Sequence, residues 1–221
     1  MRSSGKAFCG KALWALSGLC VACVAQAGVI PGDIERSTRV KLGTSSAVEE
    51  QSDETGVFDS NVISIVSLDS ARAQQTSDEQ GNSWSGSMFS GAQVVSVSPV
   101  GTASTMFKYE FELIESTMVM IDASSSGATD GFEPEVTLDS SIGNIFSWTI
   151  DPSNPRSINA MLLPGTYTFE ASIFGVVSRP GSFESSLMFS GLLDAPVIVP
   201  TPASGALLGL GLAAAIRRRR A

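Results

Sequence analysis

The residue types that most often do enzyme chemistry are nearly missing from this sequence. The 221 residues include no histidine, and the three cysteines, Cys9, Cys20 and Cys23, all lie close to the N-terminus. A serine or cysteine nucleophile activated by histidine is therefore excluded, and so is a zinc site built from histidine or cysteine in the rest of the chain. Carboxylates, hydroxyl groups and a few lysine and arginine side chains remain for binding or catalysis.

Two glutamates have the spacing of a candidate glycosidase pair. Glu110 and Glu112 are two residues apart and follow Lys108, so a β-strand would place all three on one face. Retaining glycosidases hold their two carboxyl groups about 5 to 5.5 Å apart, across the scissile bond and in different environments. Neighbouring carboxylates on a solvated strand face do not meet that requirement. We therefore predict no catalytic residue and a protein that is not an enzyme.

Four carboxylates around a glycine-containing loop form a candidate calcium site. They are Asp122, Asp130, Glu133 and Glu135. Calcium prefers several carboxylate and carbonyl oxygens that converge at about 2.3 to 2.6 Å. The spacing lacks the fixed pattern of an EF-hand loop, so a solvated acidic loop is the alternative interpretation. Calcium is the one cofactor that these residues suggest.

Two tryptophans are candidates for stacking on sugar rings. Trp84 is the preferred one, because glycine, asparagine and serine residues surround it, whereas Trp148 follows Ile145 and Phe146. A tryptophan among strand residues is also commonly part of a hydrophobic core, and this remains the alternative for both.

The segments that must position these residues have the two-residue period of β-strands. Between residues 105 and 115, Phe107, Tyr109, Phe111 and Leu113 fall on one face and the charged residues fall on the other. Residues 117–121 are expected to pair with this strand through a turn at Glu115 and Ser116. Further strands are predicted at 62–66, 83–89, 94–97, 136–138, 145–150, 166–171 and 186–192.

Turn residues complete the predicted fold. A hairpin is expected to join 136–138 to 145–150, and Pro164-Gly165 should begin a strand with Tyr167, Phe169 and Ala171 facing inward. Short strands separated by turns indicate an all-β, antiparallel β-sandwich of the jelly-roll type spanning 58–195. Residues 28–57, rich in serine, threonine and acidic residues, are predicted to be a polar lead-in.

Both ends of the chain carry sequences typical of export. Near the N-terminus, three basic residues precede an apolar stretch at 12–24, and Ala25 and Ala27 precede a predicted cut at Gly28, which indicates a signal peptide over 1–27. Lipid modification at Cys23 is the alternative.

At the C-terminus, an apolar run at 203–216 would make a helix of about 21 Å, shorter than a hydrocarbon core of about 30 Å.

The segment 199–221 resembles the PEP-CTERM sorting signal of exported bacterial proteins. The resemblance rests on a proline-led motif before the apolar run and on four arginines after it, with Thr201 where the family usually has glutamate. These residues are Val199, Pro200, Thr201, Pro202, Arg217, Arg218, Arg219 and Arg220. The resemblance implies the secretion machinery and an exosortase-type enzyme as partners and a transient membrane anchor. An ordinary short anchor and a helix lying on the membrane surface are the alternatives.

The charge of the remaining body limits its partners. The whole chain has 14 basic and 22 acidic residues, and removal of both terminal segments leaves a net charge of about −15. So acidic a body is not expected to bind nucleic acid or anionic lipid.

The body is also similar to prepeptidase C-terminal and carbohydrate-binding sandwiches, and the tail implies an extracellular polysaccharide matrix. We expect an exported, non-enzymatic surface or matrix protein, with a carbohydrate- or calcium-dependent adhesion module as the alternative.

Overall fold

The computed structural model describes residues 28–52, 56–96, 100–127, 134–178 and 180–195, and within these ranges the chain forms β-strands and no helix. The strands are β1 Val29–Leu42, β2 Ser45–Ser52, β3 Phe58–Val66, β4 Asp69–Glu79, β5 Ser83–Val94, β6 Gly101–Leu113, β7 Thr117–Ser126, β8 Glu135–Ser140, β9 Gly143–Thr149, β10 Arg156–Leu162, β11 Gly165–Val177 and β12 Gly181–Leu193. The predicted signal peptide and C-terminal tail lie outside these ranges. No helix capable of crossing a membrane occurs in the part of the chain that is described.

The strands form two six-stranded sheets that pack face to face. Sheet A has the order β2-β1-β6-β11-β8-β9, and sheet B has the order β10-β7-β12-β5-β4-β3. The paired strands within both sheets are antiparallel. The predicted antiparallel β-sandwich is confirmed, with one face of each sheet turned inward and the other exposed.

The core consists of two hydrophobic clusters between the sheets. The larger cluster is rich in aromatic residues and includes Phe107, Tyr109 and Phe111 of β6, whereas the smaller one includes Val40 and Leu42 of β1. The two-residue period predicted for β6 is confirmed, because its alternate residues are buried. The predicted inward positions of β11 are confirmed in the same way.

A belt of buried polar side chains separates the two clusters. On β1, for example, Ile34 belongs to the larger cluster, Val40 belongs to the smaller one, and Arg36 and Thr38 lie between them. The same order occurs on β5, β6 and β12. We call these residues the polar belt: Arg36, Thr38, Gln75, Ser90, Thr105 and Ser185.

Three expectations about the elements are wrong. The sandwich begins at β1 rather than at residue 58, since the predicted polar lead-in at 28–57 contains β1 and the edge strand β2. Strands β6 and β7 do not form a hairpin: β6 pairs with β1 and β11 in sheet A, and β7 pairs with β10 and β12 in sheet B. The predicted strand at 94–97 is not separate, because β5 runs to Val94 and ends there. The predicted hairpin at 136–150 is confirmed as β8 and β9.

Candidate binding faces

The candidate glycosidase residues lie on the outer face of sheet A, where Lys108 and Glu110 form an ion-pair cluster with Glu35. Lys108 Nζ is 2.9 Å from Glu35 Oε1 and 2.9 Å from Glu110 Oε1. Hydrogen bonds to these two carboxylates, the one to Glu35 first, raise the pKa of Lys108 above its usual range. Glu110 is therefore paired with the Lys108 ammonium group and does not face Glu112 across a cleft. This agrees with the sequence analysis, which expected these glutamates to lie on a solvated strand face.

The predicted four-carboxylate calcium site does not form from the residues that the structure describes. Asp122 lies on the outer face of sheet B, whereas Glu135 lies on the outer face of sheet A and accepts a hydrogen bond of 2.8 Å from Ser147 Oγ. The side chains of Asp122 and Glu135 point away from each other across the sandwich, so they cannot ligate one ion. Asp130 and Glu133 lie outside the described residues. Within the described ranges, no group of three or more acidic residues is arranged to hold a metal.

Trp84 is a core residue, so its predicted role in sugar stacking is wrong. The indole is only 2% exposed and its ring centroid is 5.4 Å from that of Tyr109 and 5.2 Å from that of Phe169. It faces inward because β5 presents alternate residues to the core, and Gly191, which lies opposite it on β12, leaves room for the ring. Trp148 is half-buried and stacks on Phe146, with 4.0 Å between the ring centroids.

Phe174 of β11 is the one aromatic side chain in the described ranges that is mostly exposed, at 59%. It projects from the outer face of sheet A, opposite Ser104 of β6, and Ser104 in turn lies opposite Arg39 of β1. The sequence analysis did not select this residue, because the predicted strand ended at 171. Extension of the same two-residue period from Tyr167 would have placed Phe174 on the outer face.

A groove of about 550 Å³ lies beside Phe174. Its hydroxyl groups come from neighbouring strands, and its charged groups come from Glu35, Arg39, Glu50 and Glu170. Arg39 Nη2 is 2.7 Å from Glu50 Oε1 at one side of it. We call this the Phe174 groove, with the lining residues Glu35, Arg39, Glu50, Ser104, Met106, Glu170, Ser172 and Phe174.

The carboxyl group of Glu170 in the Phe174 groove has a raised pKa. Burial raises its pKa above the ordinary value, the negative charge of Glu135 acts in the same direction, and Lys108 opposes both. A carboxyl group with a raised pKa is protonated over a wider pH range and can then donate a hydrogen bond. Arg39 and the serine hydroxyl groups supply donors and the carboxylates supply acceptors, so the groove offers both beside an apolar ring.

The outer face of sheet B carries a second groove of about 690 Å³. Its lining is rich in hydroxyl groups and includes two carboxylates and one guanidinium group. We call it the serine groove, with the lining residues Thr76, Asp78, Ser85, Ser87, Asp122, Ser124, Arg156, Ser157, Met188 and Ser190. Val57 and Met188 are its exposed large apolar side chains, at 70% and 59%. In contrast to the Phe174 groove, it presents no exposed aromatic ring.

The fold and these faces define a two-sheet antiparallel β-sandwich with an open groove on each outer face.

No protein-family model and no curated protein matches the sequence. One similar solved structure is the carbohydrate-binding module TmCBM61 in complex with β-1,4-galactotriose, with a TM-score of 0.31 and 13% identity over 53% of this chain and 72% of that chain. A GH31 alpha-xylosidase from Xanthomonas citri has a TM-score of 0.28 and 8% identity over 75% of this chain and 18% of that chain. Neither similarity identifies a ligand or an activity for this protein.

Proposed function

We propose that this protein is an exported, non-enzymatic module that binds an extracellular polysaccharide on the outer face of sheet A. The observation that carries the proposal is the exposed ring of Phe174 beside a groove lined with hydroxyl and charged groups. Export and a transient membrane anchor belong to the proposal through the sequences of the two termini. The partners would be the secretion machinery, an exosortase-type enzyme and a matrix glycan.

The chemistry of the Phe174 groove fits a sugar chain. A pyranose ring has an apolar face of C–H groups and a rim of hydroxyl groups. The apolar face can pack on the ring of Phe174, and burial of an aromatic surface is favourable in water. The sugar hydroxyl groups can then donate to Glu35 or Glu50 and accept from Arg39 or Ser104. An open groove on a sheet face also admits a chain that continues beyond it in both directions.

Binding rather than hydrolysis is favoured by the pairing of the acidic residues. Glu35 is paired with Lys108, and Glu50 is paired with Arg39. Each carboxylate is thus next to a cation on an open sheet face, which suits hydrogen bonding to a neutral ligand. An assay for released reducing sugar tests this part of the proposal. Turnover that Glu170→Gln abolishes would show that the protein is a hydrolase.

Affinity electrophoresis and pull-down of the full-length chain with neutral and acidic polysaccharides test the binding. Phe174→Ala should weaken retention by about 2- to 10-fold, because aromatic packing contributes about 0.5 to 1.5 kcal/mol. Met188→Ala is the matched control, since Met188 is equally exposed but lies on the other sheet. Equal retention of Phe174→Ala and the wild type would refute the site, and failure of the wild type to bind any of the polysaccharides would refute the function. Loss of binding in EDTA would identify the calcium-dependent alternative.

A further inference from the structure

The methionines of this protein are concentrated on the outer face of sheet B. Six of them lie in the described ranges: Met88 is in the core, Met106 lines the Phe174 groove, and the other four project from one face. These four are Met118, Met120, Met161 and Met188. Since methionine is an apolar side chain that is usually buried, this distribution needs an explanation other than core packing.

Three of these methionines are direct neighbours in the sheet. Met161 of β10 lies opposite Met118 of β7, and Met120 is the next residue along β7 on the same face. Residues directly opposite each other have Cβ atoms about 4.5 to 5.5 Å apart, and diagonal neighbours are about 7 to 8 Å apart. Each thioether sulfur is two bonds beyond its Cβ atom on a flexible side chain. The three sulfur atoms can therefore converge on one point above the sheet.

From this arrangement we propose that Met118, Met120 and Met161 form a thioether site for a soft monovalent cation of the copper(I) class. Thioether sulfur prefers soft ions such as copper(I), whereas calcium and magnesium prefer oxygen. Histidine is missing from the sequence, and the cysteines all lie near the N-terminus. Elsewhere in the described body, methionine is therefore the only strong soft-metal ligand. This proposal does not depend on the polysaccharide function, because the three residues lie on the opposite sheet from Phe174.

The surroundings of the three methionines fit an ion with a low charge. Leu192 of β12 lies opposite Met120 on one side, and Asn159 of β10 lies opposite it on the other. The apolar side chain limits access of water, and the amide oxygen can supply a neutral fourth ligand. Met120 and Met161 are 39% and 57% exposed, so an ion can reach them from solvent.

Silver(I) is a suitable probe, because it is soft, monovalent and does not change oxidation state in air. The full-length protein, with Cys9, Cys20 and Cys23 replaced by serine so that no thiol competes for silver, is labelled with ¹³C in the methionine methyl groups, titrated with silver nitrate in a chloride-free buffer and observed by NMR. The methyl signals of Met118, Met120 and Met161 should shift together and saturate at about one equivalent. The signal of Met188, on the same face but in another row, should not shift over that range.

Leucine substitutions separate a specific site from general thioether binding. Loss of groups that only support a metal costs about 10- to 100-fold in affinity, so Met118→Leu or Met161→Leu should weaken silver binding by at least about tenfold. Leucine preserves the apolar volume, so folding should be retained. Met188→Leu is the matched control and should bind as the wild type does. Shifts of Met188 and Met106 at the same silver concentration, or unchanged affinity in the Met118→Leu/Met161→Leu variant, would overturn the proposal.

Discussion

The substitution Gly191→Ala tests the packing of the aromatic core more directly than removal of a large side chain would. Gly191 of β12 lies opposite Trp84 of β5 and faces inward. A Cβ atom at this position would lie 2.0 Å from Trp84 Cε2 and 2.1 Å from Cζ2. Favourable carbon–carbon contacts are about 3.5 to 4.0 Å, so the indole ring or the strand must move by about 1.5 Å.

The surrounding rings leave no space for that movement. Trp84 already packs against Tyr109, Phe111 and Phe169, with ring centroids 5.2 to 5.5 Å apart. Overpacking of a core costs about 1 to 3 kcal/mol. The backbone of Gly191 does not have a positive φ, so replacement by alanine would otherwise stabilise the fold by about 0.4 to 1 kcal/mol. The clash should win, and we expect a net loss of about 1 to 2 kcal/mol.

Urea unfolding followed by circular dichroism measures this loss. Trp84→Phe shortens the ring system, so the clash should be relieved in the Gly191→Ala/Trp84→Phe double variant, with a favourable coupling of about 1 kcal/mol. Ser190→Ala, at the exposed neighbouring position, is the control and should change the free energy of unfolding by less than about 0.5 kcal/mol. A Gly191→Ala variant as stable as the wild type, or additive effects in the double variant, would show that Trp84 does not pack on β12 as described.

Two buried carboxylates should have opposite effects on the pH dependence of stability. Hydrogen bonds from Ser96 Oγ and from the backbone N–H of Val95 lower the pKa of Asp69, so its contribution is present above the unfolded pKa of about 3.9 and is lost as the pH falls below it. Asp69→Asn should be less stable than the wild type at pH 7, and this difference should shrink in acid; a constant difference would contradict the explanation. Burial raises the pKa of Glu79, although hydrogen bonds from the backbone N–H of Gly81 and from Tyr109 oppose the shift, so its effect on stability is most favourable below about pH 4.3 and declines as the pH rises. The free energy of unfolding of the wild type relative to Glu79→Gln should therefore fall between pH 4 and pH 8, whereas a rise would mean that the hydrogen bonds from Gly81 and Tyr109 to the carboxylate outweigh its burial.

The sequence predicted the strands whose alternation is carried by large apolar residues. In β6 and β11 most inward positions are aromatic or aliphatic, with Thr105 as the polar exception, so the period is visible in the residue types alone. In β1 the inward positions include Arg36 and Thr38, and a bulge between Pro31 and Ile34 shifts the phase of the alternation. No pattern of hydrophobicity indicates such a strand. The pairing of β6 with β1 and β11 depends on contacts distant in sequence, and a short connection to β7 suggested the wrong partner.

The candidate site was harder to predict, because burial decides which aromatic residue is available. Trp84 lies between two serines and Phe174 lies between Ile173 and Gly175, so the neighbouring residues favour exposure of Trp84, but β5 turns Trp84 inward and β11 turns Phe174 outward. The methionine cluster could not be predicted for a related reason. Met118 and Met120 are visibly close in sequence, but Met161 joins them only through the pairing of β10 with β7.

The buried residues of β1, which include Arg36 of the polar belt, determine which side chains of this strand line the Phe174 groove. In β1, Arg36 faces inward, where its Nη2 atom donates a hydrogen bond of 2.8 Å to Gly56 O and its guanidinium group lies 5.8 Å from the centre of the Phe107 ring. A one-residue slip of β1 would exchange the two faces of the strand. Glu35 would then enter the core and Arg36 would lose these contacts. The slip would also turn Ile34 and Val40 out of the core, so the inward residues of β1, Arg36 among them, together fix the register that places Glu35 and Arg39 on the outer face, beside Phe174.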